Sequence, residues 1–193
     1  MIICHTCGNP ADHHVTLKSG EIAEFCWPCY SDWVSERRGL DSSRYKHPEK
    51  LHVLGRTFSV HYDTYGEGVV FSAIEDSHRS FHSFSCTVPF ETDGTAAAAQ
   101  LRKVIRNGLK NPSLNKEASM LEDAGFIDIW YDEKDDHGLL FVIDGTPYSS
   151  EELLNILSCR EGWRLEFRFR DTFPQPGSHW HIREEHLPED DVK

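Results

Sequence analysis

The sequence predicts an α+β protein, with an N-terminal four-Cys zinc finger followed by an antiparallel-sheet domain that carries its helices on one side. Two observations support this prediction. The first thirty residues contain two C-x2-C pairs, and later segments change between period-two alternation and apolar spacings of three and four. We divide the chain into a zinc finger at 1–38, a connector at 39–53, an α+β domain at 54–173 and an acidic, histidine-containing tail at 174–193.

Composition favours a folded, acidic protein. Hydrophobic residues make up 38% of the 193-residue chain, which is enough to fill a core. The 32 acidic residues outnumber the 20 basic ones, and the resulting formal charge of −12 disfavours a protein built mainly to coat nucleic acid. No segment approaches the ~20 apolar residues that cross a bilayer, and the cysteine usage suits a reducing compartment. We therefore expect a cytoplasmic protein without a membrane partner.

The two cysteine pairs predict one structural zinc ion. Cys4, Cys7, Cys26 and Cys29 supply four soft thiolate ligands, which fill a tetrahedral site, whereas a catalytic zinc keeps one position open for water. Three nearby histidines are interpreted as neighbours of the site or as surface residues: they are His5, His13 and His14.

The residues between and after the pairs predict a treble-clef arrangement. Gly8-Asn9-Pro10 forms a tight turn after Cys7, and alternating residues from His13 predict a strand that a turn at Lys18–Glu21 joins to a second strand. A helix then begins near Cys26, because Pro28 is tolerated in a first turn. The last two cysteines thus lie at the N-terminus of this helix, where the helix dipole favours negative charge.

The two C-x2-C pairs occur together with Pro10-Ala11, His14, Thr16-Leu17, Gly20-Glu21 and Phe25. This combination resembles the N-terminal zinc domain of bacterial protein-arginine-kinase activators. The resemblance covers about thirty residues and implies the four zinc ligands and a bacterial origin. It does not imply the kinase, because the second zinc pair and the C-terminal helical motif of such activators are absent. A second stretch, from Leu139 to Asp171, looks like the C-terminal part of an uncharacterised group of bacterial proteins with such a finger.

The connector, 39–53, is predicted from turn residues without periodicity. The stretch from Glu36 to Arg56 contains six basic and three acidic residues, a local charge of +3. This Arg37–Arg56 basic patch is typical of a solvated linker, but it also suits contact with nucleic acid or an acidic protein.

Alternation predicts three antiparallel strands in the first half of the α+β domain, around Phe58–Tyr62, Val69–Ile74 and Phe84–Phe90. Apolar spacings of three and four then predict a helix from Thr95, with Thr95 as its cap, to Gly108. We interpret the basic residues of this helix as a solvated face: Arg102, Lys103 and Arg106.

The second half of the domain has five predicted elements. A capping box formed by Ser149 and Glu152 starts its last helix, and a charged turn at 132–138 separates two of its strands. The elements are a short helix at Asn115–Asp123, strands at Ile127–Tyr131 and Leu139–Ile143, a helix at Ser150–Cys159, and a strand at Trp163–Phe169. The lone thiols Cys86 and Cys159 are predicted to be core residues.

The tail offers one alternative site. In an extended segment His179 and His181 share a face, so that they can bind a second metal together with Glu185 or His186. Such a His179/His181/His186 site is typical of a metal-dependent hydrolase, although no general base elsewhere in the sequence pairs with it.

The sequence favours a binding function. A complete four-Cys site without a catalytic set predicts a zinc-binding protein that acts as an interaction or adaptor module, with another protein as partner. Two alternatives stay open, namely a nucleic-acid-associated protein using the Arg37–Arg56 patch, and the metal-dependent hydrolase. If the connector is a true boundary, Cys26→Ser unfolds the first ~38 residues and leaves the main domain intact.

Overall fold

The described part of the chain combines three α-helices with several small sheets, which confirms the predicted α+β class. The computed structural model describes residues 2–66, 68–77, 81–117, 119–131, 139–158, 160, 162 and 180–183. None of the described helices is long and apolar enough to cross a membrane.

Twelve strands and three helices follow one another along the described chain. The helices are α1 (Trp27–Arg37), α2 (Gly94–Lys110) and α3 (Ser150–Ser158), with a 3-10 helix at Ser42–Tyr45. The strands are β1 (His13–Thr16), β2 (Ile22–Phe25), β3 (Lys50–Val53), β4 (Arg56–Tyr65), β5 (Gly68–Glu75), β6 (Ser83–Val88), β7 (Leu114–Asn115), β8 (Met120–Leu121), β9 (Asp128–Tyr131), β10 (Leu139–Ile143), β11 (Thr146–Tyr148) and β12 (Trp180–Arg183).

The largest sheet has four antiparallel strands in the order β3-β4-β5-β6. Three of them correspond to the predicted strands, and β3 is an addition that comes from within the predicted connector. Its residues alternate between exposed and buried, with Leu51 and Val53 facing the core. Tyr45, on the preceding 3-10 helix, is also buried in this core. The stretch 39–53 is therefore partly structured, while the domain boundaries themselves stay predictions.

Helix α2 covers one face of this sheet. Ala97, Leu101 and Ile105 are fully buried against it, at the spacings of four that bring side chains to one helix face. The predicted cap was wrong by two residues, because the carboxylate of Asp93 accepts the Ala96 N–H at 2.9 Å. Cys86, predicted as a core thiol, is buried in the same cluster.

The C-terminal part of the described chain forms a separate small core. Strands β9, β10 and β11 make an antiparallel sheet, and α3 contacts β10 and β11. The capping box is confirmed, since Ser149 N–H donates to the Glu152 carboxylate at 2.8 Å and Glu152 N–H donates to Ser149 Oγ at 3.2 Å. This core contains Leu114, Ile143, Leu153 and Ile156.

The predicted short helix at Asn115–Asp123 was wrong. The structure has instead the hairpin β7–β8, in which Leu114 pairs with Leu121. The Asn115 side chain accepts the N–H of Glu117 at 3.1 Å, an interaction that competes with helix formation, and Ser119 adopts a left-handed conformation (φ 50°).

Helix α1 lies along the edge of β4 beyond the point where β3 ends. β3 pairs with β4 only from Arg56 to Ser59. Farther along, α1 contacts side chains from both faces of β4: Trp27 stacks on His61, and the Asp32 carboxylate accepts the Tyr62 hydroxyl at 2.6 Å. Since successive strand residues point to opposite faces, a helix that touches both of these neighbours straddles the strand edge.

Arg38, just after α1, completes the cover of this edge. Its guanidinium donates to the carbonyl oxygens of Thr64 at 2.9 Å and Gly66 at 2.8 Å. These two carbonyl groups are thus hydrogen-bonded to a side chain and are not available to pair with another strand. The four-Cys part of the chain is therefore attached to the sheet through α1.

Several predictions fall outside the described residues. They are the charged turn at 132–138, the strand at Trp163–Phe169, Cys159, and the tail residues His179, Glu185 and His186.

Candidate metal centre

Two local structures present the four cysteines, here called the four-Cys cluster. The first pair lies on a tight turn, in which Cys4 N–H donates to the Asn9 carbonyl at 2.7 Å and Gly8 N–H donates to the Cys4 carbonyl at 3.0 Å. Gly8 has φ 78°, a conformation that glycine adopts at little cost. Cys26 caps α1 and Cys29 stands in its first turn, where the Tyr30 N–H donates to the Cys26 carbonyl at 2.9 Å.

The geometry of the cluster fits a tetrahedral metal ion. All four Sγ atoms lie within 4.8 Å of one another, and those of Cys7 and Cys26 are 3.5 Å apart. Zinc–sulfur bonds of ~2.3 Å in a tetrahedron place sulfur atoms about 3.8 Å apart. Cys4 and Cys26 are buried, Cys29 is half-buried and Cys7 is exposed. The donor set is soft and can bind a metal ion such as zinc.

Burial makes two of the four thiols, those of Cys26 and Cys29, difficult to ionise without a cation. Burial opposes ionisation of Cys4, but backbone N–H groups of Cys26, Cys7 and Thr6 outweigh it and lower its pKa to about 6. Burial raises the pKa of Cys26 to about 11, and it raises the pKa of Cys29 still further. A metal ion must therefore displace protons from the buried thiols, so that its affinity rises with pH.

Helix α1 also favours negative charge at the cluster. Its N-terminus meets Cys26 and Cys29, and no acidic side chain stands in its first turn. The positive end of the helix dipole stabilises anions by ~0.3–1 kcal/mol at such positions. The N-terminus of α1 therefore stabilises the thiolate form of Cys26 and Cys29.

The nearby histidines belong to other interactions. His13 is buried, lies 2.7 Å from the Asp12 carboxylate through Nδ1, and stacks on Tyr30 with ring centroids 4.4 Å apart. His14 pairs with Glu24, and His5 is exposed. Among the described residues, the converging ligand atoms of the cluster come from the four cysteines alone.

Sequence reasoning missed the polar junction between the cluster and the sheet. The Asp63 carboxylate accepts the Trp27 indole N–H at 3.2 Å and the Ser31 hydroxyl at 3.2 Å. Burial raises the pKa of Asp63 to about 7. Burial also lowers the pKa of His61 to about 4, and the His61 ring stacks on Trp27 at 4.1 Å. The available signal was the pair Ser31 and Ser35, whose spacing puts two small polar residues on one face of α1.

The Arg37–Arg56 patch makes many contacts within the protein. Arg38 binds backbone carbonyls, Lys50 lies 2.7 Å from the Asp76 carboxylate, and Arg56 lies 2.9 Å from that of Glu75. Arg37 stands over the Trp33 ring at 5.1 Å. These contacts reduce the positive charge that the patch offers to a nucleic acid.

The described part of the tail is strand β12, which joins the small sheet of β1 and β2. β12 pairs with β1 in parallel, which places Trp180 opposite His13 and His181 opposite His14 along the backbone. The other two histidines of the predicted hydrolase site are outside the described residues.

Comparison with known proteins identifies one family segment. No curated protein and no solved structure matches the chain. The resemblance to kinase activators therefore stays a prediction. One family model matches a C-terminal segment that contains β7 to β11 and α3, and the four-Cys cluster lies outside this segment. This family model, described as a domain of unknown function (DUF7713), matches residues 109–173 of this chain.

Proposed function

We propose that the chain binds one zinc ion through Cys4, Cys7, Cys26 and Cys29 and acts as a protein-interaction module without catalysis of its own. The observation that supports this proposal is the convergence of four Sγ atoms within 4.8 Å at the start of α1. The turn, hairpin and helix around the site support a proposed treble clef, and the resemblance to activator fingers supports a proposed bacterial, cytoplasmic adaptor.

The donor set favours a structural rather than a catalytic role for the zinc. Four thiolates fill the tetrahedron, so that no coordination position is left for a water molecule or a substrate. Cys4 and Cys26 are 2% and 7% exposed, which keeps half of the ligand set out of solvent. Zinc in such a site contributes its binding energy to folding, about 10–16 kcal/mol in small zinc-finger peptides.

A protein partner fits the charge distribution better than a nucleic acid does. The formal charge of −12 repels a phosphate backbone at long range, and four of the six cations in the Arg37–Arg56 patch are engaged within the protein. The partner is therefore proposed to be a protein that recognises the zinc-stabilised surface.

Metal analysis of the full chain tests the site. We expect about one zinc per chain, lost in a Cys4→Ala/Cys26→Ala double variant and retained in Cys86→Ala, which removes a buried thiol outside the cluster. Zinc that persists in the double variant would contradict the ligand assignment. A second equivalent that disappears in His181→Ala would favour the hydrolase instead.

Affinity capture tests the interaction role. The wild-type chain and the double cysteine variant would be exposed to the same bacterial lysate, and bound proteins compared by mass spectrometry. A protein retained by the wild type and by Cys86→Ala, but not by the double variant, is the expected result. Identical sets for all three proteins would count against a zinc-dependent adaptor.

A further inference from the structure

The outer face of α2 carries positive charge only. Its seventeen residues include Arg102, Lys103, Arg106 and Lys110 and no carboxylate. All four side chains are exposed. We call these four residues the α2 cationic face. Because the helix is +4 and the whole chain is −12, the other residues sum to −16, so the face is a positive island on an acidic protein.

Several basic residues elsewhere in the described chain pair within the protein, whereas the four cations of this face lie together without an intramolecular partner. Arg56 and Lys50 pair with carboxylates on the sheet, and Arg160 lies 3.1 Å from the Asp123 carboxylate. No hydrogen bond, ion pair or ring contact of the α2 cationic face occurs within the described structure. In a chain with 32 acidic residues, four adjacent unpaired cations mark a surface that the fold itself does not use.

The fold holds the face rigidly. The opposite side of α2 is anchored in the core by fully buried residues, among them Leu101 and Ile105, and its N-terminus is capped by Asp93. Arg102, Arg106 and Lys110 are four residues apart, so a rise of 1.5 Å per residue places neighbouring Cα atoms about 6 Å apart along the helix axis. The result is a straight cationic stripe about 12 Å long on a rigid support.

We propose that the α2 cationic face is a docking surface for an acidic segment of a partner protein. Carboxylates at a matching spacing along a helix or strand can pair with the stripe, and the charges steer the encounter. This surface lies outside the four-Cys cluster and outside the stretch 109–173, except for its last cation. It therefore adds a second binding surface that requires no metal.

Nucleic acid fits the same face less well. Neutralising only four phosphates gives weak binding, and the −16 carried by the remaining residues repels the rest of a nucleic acid. Binding of single strands also relies on aromatic side chains that stack on bases, and α2 contains no aromatic residue.

The test uses the full chain and fluorescently labelled poly-L-glutamate as the acidic probe, at low and at physiological salt. The variant Arg102→Gln/Arg106→Gln/Lys110→Gln removes the stripe. A control with the same change in charge, Lys18→Gln/Arg44→Gln/Lys116→Gln, removes three exposed cations from other elements. Metal content and circular dichroism of each protein are measured in parallel, so that a failure of the zinc proposal is seen separately.

We expect poly-glutamate to bind the wild type and the control, with a Kd that rises with salt. The stripe variant should bind roughly tenfold more weakly, which is about 1.4 kcal/mol and the size expected for three exposed ion pairs. No binding to the wild type, an equal loss in both variants, or tighter binding of a labelled DNA strand than of poly-glutamate would each overturn the proposal.

Discussion

The four-Cys module, residues 2–38, and the four-stranded sheet are stabilised in different ways. Apolar side chains dominate the core of the sheet, where Phe58, Phe71, Leu101 and Ile105 are fully buried and α2 closes one face. The core of the module is a small cluster that includes two of the four clustered cysteines, Cys4 and Cys26. A domain of fewer than ~40 residues rarely buries enough apolar surface to fold alone. The module therefore depends on a cross-link that the sheet does not need.

The junction between the module and the sheet is stabilised in a third way, by hydrogen bonds between polar side chains. Asp63 on β4 accepts hydrogen bonds from Trp27 and Ser31, and Tyr62 donates to Asp32. Such contacts favour one defined arrangement, since each buried polar group must keep its partner. The comparison teaches that the proposed metal would hold the module together locally, whereas α1 makes the module part of the sheet edge.

Loss of the metal should have the largest effect. In the Cys4→Ala/Cys26→Ala variant, or after chelation, about 10 kcal/mol or more of zinc binding energy is lost and the module unfolds. Because α1 covers β4 beyond β3, the backbone amides of 61–65 should then exchange with solvent faster, as measured by hydrogen–deuterium exchange. Unchanged exchange at 61–65 would instead support the independent module predicted from the sequence.

Truncation of a side chain in the sheet core should have the next largest effect. Unlike loss of the metal, it should destabilise the sheet and leave the four-Cys cluster intact. Ile105→Ala leaves a cavity at a fully buried position and should lower the free energy of unfolding by about 2–5 kcal/mol, measured by urea denaturation. The variant should still bind one zinc per chain in buffer. Loss of zinc from the folded variant would show that α2 also supports the metal site. The exposed Ala99→Gly, in the same helix, should cost only about 1 kcal/mol.

The sequence predicted the elements whose pattern is local. Cysteine spacing located the four-Cys cluster, alternation located β4 and β5, and Ser149 with Glu152 located the start of α3. It did not predict β3, because four residues after a run of turn residues carry too little periodicity. The hairpin β7–β8 was mistaken for a helix because its residues are good helix formers. The hydrogen bond that the Asn115 side chain accepts from the Glu117 N–H competes with the helix.

The junction was unpredictable for a different reason. Asp63 and His61 occupy the polar positions of an alternating strand, a pattern that is typical of a solvent-facing side. Only the tertiary placement of α1 beside β4 buries them, and that placement leaves no periodic signal in either segment. The convergence of the four cysteines could therefore be predicted, whereas the attachment of the site to the sheet could not.

Removing the link between Arg38 and the strand edge should weaken the junction moderately. Arg38→Gln loses two charge-assisted hydrogen bonds to the carbonyls of Thr64 and Gly66, and we expect a loss of about 1–2 kcal/mol in the free energy of unfolding. The neighbouring Arg37→Gln, whose side chain is exposed over Trp33, should cost less than about 1 kcal/mol. Equal losses in both variants would mean that general charge, rather than the edge contact, matters.

The smallest effect concerns the pH dependence at Asp63. Its folded pKa of about 7 lies above the ~3.9 of an unfolded aspartate, so the folded state holds the proton more tightly. Stability supplied by this group is therefore present at low pH and is lost as pH rises to about 7, with no further change above. His61 has a folded pKa of about 4, below the ~6.5 of an unfolded histidine, so its contribution to stability rises with pH until the unfolded state has lost its proton, a little above pH 6.5. This opposing slope is common to the wild type and to a variant at Asp63, so a comparison of the two proteins cancels it.

Asp63→Asn should remove this slope, because the amide does not ionise. The amide keeps only one of the two acceptor oxygens that bind Trp27 and Ser31, so the variant is compared by its slope and not by its absolute stability. Between pH 6 and pH 8 the wild type should lose about 1 kcal/mol of unfolding free energy relative to the variant, measured by urea denaturation with zinc present. Asp76→Asn serves as control. Burial opposes ionisation of Asp76, but hydrogen bonds from Lys50 and Ser59 outweigh it and lower its pKa. Asp76 therefore stays ionised from pH 6 to pH 8 and adds no slope in this range. A wild-type slope equal to that of Asp63→Asn would show that Asp63 is solvated and that the junction is open to water.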